Sequence, residues 1–156
     1  QREVRGAEVA RRAVAPLATA MDLRDVNLVL ELDETATFQG DAPWTAEAVE
    51  NIAKNCMEHT PPGGTVTVAV SEDALATTIA VSDTGPGIAP EDLPHIFERF
   101  YRGGAVEEAN VAQPAGFGIG LSLAQALVSA QGGTLRASNN PAGGARFEIA
   151  FPKLVV

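Results

Sequence analysis

The 156-residue chain has a single cysteine, Cys56, which excludes an internal disulfide and a cysteine-built zinc site. Its two histidines, His59 and His95, lie too far apart in sequence to offer a zinc spacing. Basic residues are scarce: 11 Lys and Arg face 20 Asp and Glu, giving a formal net charge of −9. Such a field repels phosphate backbones and anionic lipid surfaces, which argues against nucleic-acid binding and direct membrane contact. No apolar run approaches the roughly 20 residues of a membrane span, and no basic start with an apolar block marks a signal peptide, so the chain reads as soluble. Aromatics are also few, eight in all, yet Phe97, Phe100, Tyr101 and Phe117 fall within one region bounded by Gly and Pro.

What is present suits one compact domain with 46% apolar residues. Val4, Ala7, Val9, Ala10, Val14, Leu17 and Ala18 recur at helical spacing from the very start, which suggests a piece of a longer protein beginning inside a helix. Residues 27–32 alternate as a half-buried strand. Thr45 to His59 reads as a helix stopped by Thr60-Pro61-Pro62-Gly63-Gly64. Residues 65–71 and 75–83 form a hairpin, 121–131 a helix ended by Gly132-Gly133, and 134–138 and 145–151 a second hairpin. Between Thr84 and Gly120, Gly and Pro punctuate about 35 residues without regular signals. A loop longer than about 15 residues in a compact domain is usually functional or disordered. The order α-β-α-β-β-loop-α-β-β implies helices on one face of a mixed, mostly antiparallel sheet.

Four features resist a packing explanation. Alternation puts Asp83 on the apolar face of its strand, so it either starts the following turn or accepts a hydrogen bond from a ligand. Asn51 and Asn55 project from one side of a helix at i and i+4, as a solvated stripe or as neutral oxygens for Mg²⁺ and substrate phosphates. Gly116-x-Gly118-x-Gly120 precedes a helix, where backbone N–H groups and a partial positive charge suit an anion. The spacing is not that of a dinucleotide fingerprint, and no GxxxxGK[ST] loop is present. Arg99 and Arg102 stand beside Phe97, Phe100 and Tyr101, either solvated or as guanidinium forks for phosphate.

In order and spacing, these elements resemble the boxes of bacterial two-component sensor histidine kinases. Asn51-Ile52-Ala53-Lys54-Asn55 with His59-Thr60-Pro61 is similar to the N box and Asp83-Thr84-Gly85-Pro86-Gly87-Ile88 to the G1 box. Phe97-Glu98-Arg99-Phe100-Tyr101-Arg102 is similar to the F box and Gly116-Phe117-Gly118-Ile119-Gly120-Leu121-Ser122 to the G2 box. The resemblance covers about residues 24–152. It implies the Bergerat fold, an α/β two-layer sandwich whose sheet is covered on one face by three helices, with a long ATP lid over about residues 89–115. It implies ATP and Mg²⁺ as cofactors. Asp83 would accept the adenine N6 amino group, Asn55 would ligate Mg²⁺, and Asn51 would support the phosphates. Phe97 and Phe100 would pin the lid, Tyr101 and Arg102 would face the nucleotide, and the Gly116–Gly120 backbone would close over the triphosphate. Glu58, His59, Gly85, Gly87, Ile88, Arg99, Leu121 and Ser122 complete the expected nucleotide site, with Asn51 and Arg102 acting in transfer.

Position 51 separates branches of this fold. Hydrolysing relatives carry Glu there to activate water, so Asn51 implies a kinase with slow hydrolysis, transferring the γ-phosphoryl by positioning and charge stabilisation. Many kinases of the family carry Lys or Arg where this chain has Glu58, which the i, i+4 spacing allows to pair with Lys54. Neither His59 nor His95 has the His-Glu/Asp-x-x-x-Pro setting of a phosphoacceptor. The expected division is therefore a helical tail of a preceding dimerisation domain or linker over 1–22 and an ATP-binding catalytic domain over 23–156. The resemblance implies as partners that dimerisation domain and a response regulator, in a homodimeric full-length protein, with this piece on the cytoplasmic side of a membrane-anchored kinase. The alternatives are a serine anti-sigma-factor kinase of the same fold and a degenerate module that binds nucleotide or protein without catalysis.

Overall fold

A computed structural model describes residues 2–101 and 120–153. Strand β1 (Arg2–Arg5) runs into helix α1 (Gly6–Val14), a 3-10 turn at Ala15–Leu17 and a short helix α2 (Ala18–Leu23). There follow β2 (Asn27–Leu32), β3 (Thr37–Gly40), the long helix α3 (Ala42–Glu58), and the hairpin β4 (Thr65–Glu72) and β5 (Ala76–Asp83). After a 3-10 turn at Leu93–His95 come α4 (Gly120–Ser129) and a second hairpin, β6 (Thr134–Asn139) and β7 (Ala145–Pro152).

Five strands form one sheet in the order β2-β4-β5-β7-β6; β2 and β4 are parallel and every other pair is antiparallel. The pleat sorts their side chains. Val66, Val68 and Val70 of β4, Ile79 and Val81 of β5, Leu135 of β6, and Phe147, Ile149 and Phe151 of β7 are buried on one face. Helices α1, α3 and α4 cover that face with Val9, Ala10, Ala13, Val49, Ile52, Ala53, Leu121, Ala124 and Val128. Thr67, Thr78, Ser82, Arg146 and Glu148 lie on the other face and are only half-buried. The result is the two-layer sandwich expected, with a mixed and mostly antiparallel sheet.

The amino-terminal part differs from expectation. In place of one helix over Val4–Ala18, Arg2–Arg5 pairs antiparallel with Thr37–Gly40, and Val4 is buried opposite Phe38. Phe38 in turn stacks on Phe151, with ring centroids 4.1 Å apart and 8° between planes. Four residues with one apolar side chain carry no readable strand period, so long-range pairing decides. Pro16 sits in the first turn of the 3-10 segment, where its missing N–H interrupts the α-helix. Packing does not break at residue 22: Val9, Ala10, Ala13, Val14, Leu17 and Met21 belong to the same core as α3 and the sheet. The apolar side chains from Val4 to Met21 are thus packed into the core of the ordered domain. Leu75, expected as the first apolar strand position, is 75% exposed in a turn where its N–H donates to Asp73 Oδ1.

Candidate functional site

Helix α3 supplies the first wall. It starts three residues earlier than the apolar pattern suggests, because Asp41 caps it by accepting the Trp44 N–H at 2.8 Å and Pro43 occupies its first turn. Its last carbonyls are used: Asn55 O accepts the His59 N–H and, at 2.8 Å, Nδ1–H of the His59 ring, while Thr60 Oγ1 donates to Cys56 O at 2.7 Å. A carbonyl can only accept, so this contact protonates His59 at Nδ1. Asn55 is 5% exposed, which overturns the solvated-stripe alternative for that residue. Asn51 is half-buried, and among the described residues its buried Nδ2 donor has no hydrogen-bond partner. Such a donor costs about 1–3 kcal/mol in the ligand-free chain, a cost that a bound acceptor would remove. The Asn51 side chain faces the first residue of α4: a Cβ built on Gly120 would lie 3.8 Å from Asn51 Oδ1. The Lys54–Glu58 pair is not among the ion pairs of the described residues. Glu58 is half-buried, and its carbonyl accepts from the Arg24 guanidinium at 3.3 Å.

Strand β5 supplies the second wall. Strict alternation carries Asp83 to the core face, where it is 4% exposed. Its Oδ1 accepts two backbone N–H groups, from Gly85 at 2.9 Å and from Ala145 at 3.1 Å, which orient the carboxylate. The Cys56 thiol hydrogen-bonds to the same side chain; burial pushes this thiol well above its ordinary range and the Asp83 charge pushes the same way. Gly85 packs so tightly on α3 that a Cβ there would come within 2.4 Å of His59 O. Asp83, Asn55, His59, Gly87, Ile88, Ala145 and Phe147 line one cavity of about 20 Å³, room for a water molecule and not for a purine. A larger hollow of about 520 Å³ lies on the sheet face opposite the helices, among Thr65, Thr67, Ser82, Asp83, Thr84 and residues 140–143. It gathers hydroxyls and turn backbone, and neither Asn51 nor Asn55 reaches it.

The third wall is the start of the long loop. Ile96 is fully buried, and Phe97 meets Phe147 edge-on with centroids 6.4 Å apart at 78°. Phe100, expected to pin the loop with Phe97, does not: it is 63% exposed, at φ +69°, under the Arg99 guanidinium at 5.0 Å. Tyr101 donates its hydroxyl to the buried Asp92 and stacks on His95 at 5.3 Å. The Asp92 carboxylate pushes the Tyr101 phenol up to about 12. Leu121 is fully buried and Ser122 half-buried in the first turn of α4. Arg102, Gly116, Phe117, Gly118 and Ile119 lie outside the described residues.

The sequence reading missed Ala145, Gly144, Asn139 and Cys56. Gly144, at φ +89°, lets the β6–β7 turn lie on β5 so closely that a Cβ there would fall 1.8 Å from Asp83 O. Its neighbour Ala145 acts through its backbone N–H, which leaves no sequence signature.

Comparison with known proteins gives the family. Residues 40–155 match the family described as histidine kinase-, DNA gyrase B- and HSP90-like ATPase, and the chain belongs to that family. It is 29% identical over 147 residues to the sensor-like histidine kinase SenX3 of Mycobacterium tuberculosis, covering 94% of this chain and 35% of that protein. It is 42% identical over 106 residues to the histidine-protein kinase/phosphatase MprB of Mycolicibacterium smegmatis, covering 67% of this chain and 20% of that one. The solved structure of a mycobacterial sensor histidine kinase MprB superimposes with a TM-score of 0.82 and 28% identity, over 97% of each chain. The chain thus spans about a third of the length of SenX3 and less of MprB. Among the described residues, no helix is long and apolar enough to cross a membrane.

Proposed function

We propose that this chain is the ATP-binding catalytic domain of a sensor histidine kinase, which transfers the γ-phosphoryl of Mg-ATP to a histidine on a separate dimerisation domain. The observation that carries the reading is the convergence of Asp83, buried and oriented by two N–H groups, with Asn55 and the orphaned Asn51 amide beside the first turn of α4. Donor, acceptor and helix terminus here match the parts of a purine nucleotide: an exocyclic amino group for a carboxylate, and phosphates for an amide donor and the positive end of a helix.

In this reading Asp83 accepts the adenine amino group, Asn55 offers its oxygen to Mg²⁺, and Asn51 Nδ2 donates to a phosphate oxygen. The metal supplies charge neutralisation on the transferring group. Gly85, Gly87 and Ile88 wall the base, and Glu58, His59, Arg99, Tyr101, Leu121 and Ser122 border the site, with Arg102 and Gly116–Ile119 completing it. Because the cavity beside Asp83 has room only for a water, entry of the base requires this cavity to widen. Asn51, where a hydrolase would hold a carboxylate base, favours transfer over hydrolysis. The dimerisation domain, a response regulator, a homodimeric parent and a membrane anchor beyond this chain complete the proposal.

The test joins the upstream dimerisation domain to this chain and supplies γ-labelled ATP. Acid-labile, base-stable label on the protein supports the histidine kinase. Base-labile label supports a serine kinase of the same fold, and no label supports a binding module.

A further inference from the structure

The β6–β7 hairpin touches the loop after β5 at two points, both springing from one rung of its ladder. Asn139 and Ala145 form the last facing pair of that ladder. Ala145 holds one end of the loop through the bond from its N–H to Asp83 Oδ1. Asn139 holds the other with its side chain: the Ile88 N–H donates to Asn139 Oδ1 at 2.7 Å, and Asn139 Nδ2 donates to Ile88 O at 2.8 Å. A carboxamide offers one donor and one acceptor in a plane, as a peptide group does, so it pairs with an isolated residue as a neighbouring strand would. Ile88 lies outside every ladder of the sheet. Its side chain, 6% exposed, lines the cavity beside Asp83. Gly87 belongs to the same device: at φ +83°, its Cβ would stand 2.7 Å from Asn139 Oδ1.

We infer that Asn139, which does not itself line the cavity, is a positioning residue for the base-binding pocket: its carboxamide sets the distance between the Ile88 wall and the Asp83 carboxylate. This rests on the nucleotide site proposed above. A merely structural turn residue would lower stability everywhere; a positioning residue changes the loop and the affinity before it changes the core.

The 156-residue chain and its Asn139→Ala and Asn139→Asp variants are compared by calorimetric titration with Mg-ADP and by amide hydrogen exchange without nucleotide. The expected result is about tenfold weaker ADP binding in Asn139→Ala, the size of one or two net hydrogen bonds. Exchange at the Ile88 amide rises with it, while exchange in β4 stays as in the parent. Asn139→Asp keeps the acceptor for the Ile88 N–H but sets a carboxylate oxygen against Ile88 O, acceptor against acceptor, so its ADP binding weakens at least as much as in Asn139→Ala, and it gives a second readout where the alanine variant does not fold. A folded variant that binds ADP as the parent does, exchange rising equally in β4, or failure of both variants to fold overturns the inference. A parent chain that binds no ADP overturns the nucleotide reading itself, and this inference with it. A parent that binds while the variant binds equally overturns the inference alone.

Discussion

The Ala145 N–H donates to Asp83 Oδ1 at 3.1 Å, joining the start of β7 to the end of β5 at a carboxylate buried beside the cavity. The bond uses one oxygen of Asp83 together with the Gly85 N–H, so the carboxylate cannot rotate without leaving two backbone donors unpaired.

Asp83→Asn tests this arrangement. Its amide oxygen still accepts both N–H groups, whereas its NH₂ meets the ligand's amino group as donor against donor. Binding of Mg-ADP, followed by titration calorimetry, is expected to fall about 10–100-fold with unchanged circular dichroism. Unchanged affinity would remove Asp83 from base recognition.

Asn51→Ala separates stability from function. Removing the orphaned Nδ2 relieves about 1 kcal/mol of unpaired-donor cost in the ligand-free chain, so urea unfolding should show equal or higher stability. Mg-ADP binding should weaken in the same variant. A loss of stability of more than about 1 kcal/mol would mean that the amide is satisfied without nucleotide.

Gly144→Ala places a methyl group 1.8 Å from Asp83 O at a φ of +89°. The turn must move, with a cost of at least about 2 kcal/mol in thermal unfolding and a parallel loss of ADP binding. Gly143→Ala, at φ +110° with open space around it, carries only the backbone strain and should cost less.

Phe97→Ala removes the edge contact with Phe147 at the root of the long loop. A half-buried aromatic contributes about 1–3 kcal/mol, read as a shift of the urea midpoint. Phe100→Ala, on an exposed ring, should leave that midpoint within about 0.5 kcal/mol.

Tyr101, the one tyrosine of the chain, gives a clean titration. Its phenol is raised to about 12 from 10.0, because the hydroxyl donates to Asp92. Folding therefore favours the protonated form: the stabilisation is complete below pH 10 and is lost as pH rises through about 12. Absorbance of the phenolate should show a midpoint near 12, falling toward 10 in Asp92→Asn. A midpoint near 10 in the parent would show that the Asp92 contact is absent in solution.

By itself the sequence determined the elements whose period repeats long enough to be read: α3, α4, both hairpins and β2, hence the layered fold. It also determined Asp83, because a carboxylate in phase with an apolar strand face is visible as a break in pattern. Asn51 and Asn55 were legible as a pair on one side of a helix, but spacing alone left a solvated stripe open, and only packing against the loop and α4 buried Asn55 and left the Asn51 amide donor without a partner among the described residues. Only the tertiary structure decided β1 and β3, short strands whose partners lie far along the chain, and the packing of Val4, Val9, Leu17 and Met21 into the core. The same holds for Ala145, Gly144 and Asn139. Their contributions are a backbone N–H, an absent Cβ and an amide that pairs with another loop's backbone, and none of these leaves a period or a charge in a linear sequence. Phe97 and Phe100 differ for the same reason: two like residues in one motif part company because one meets Phe147 and the other meets solvent.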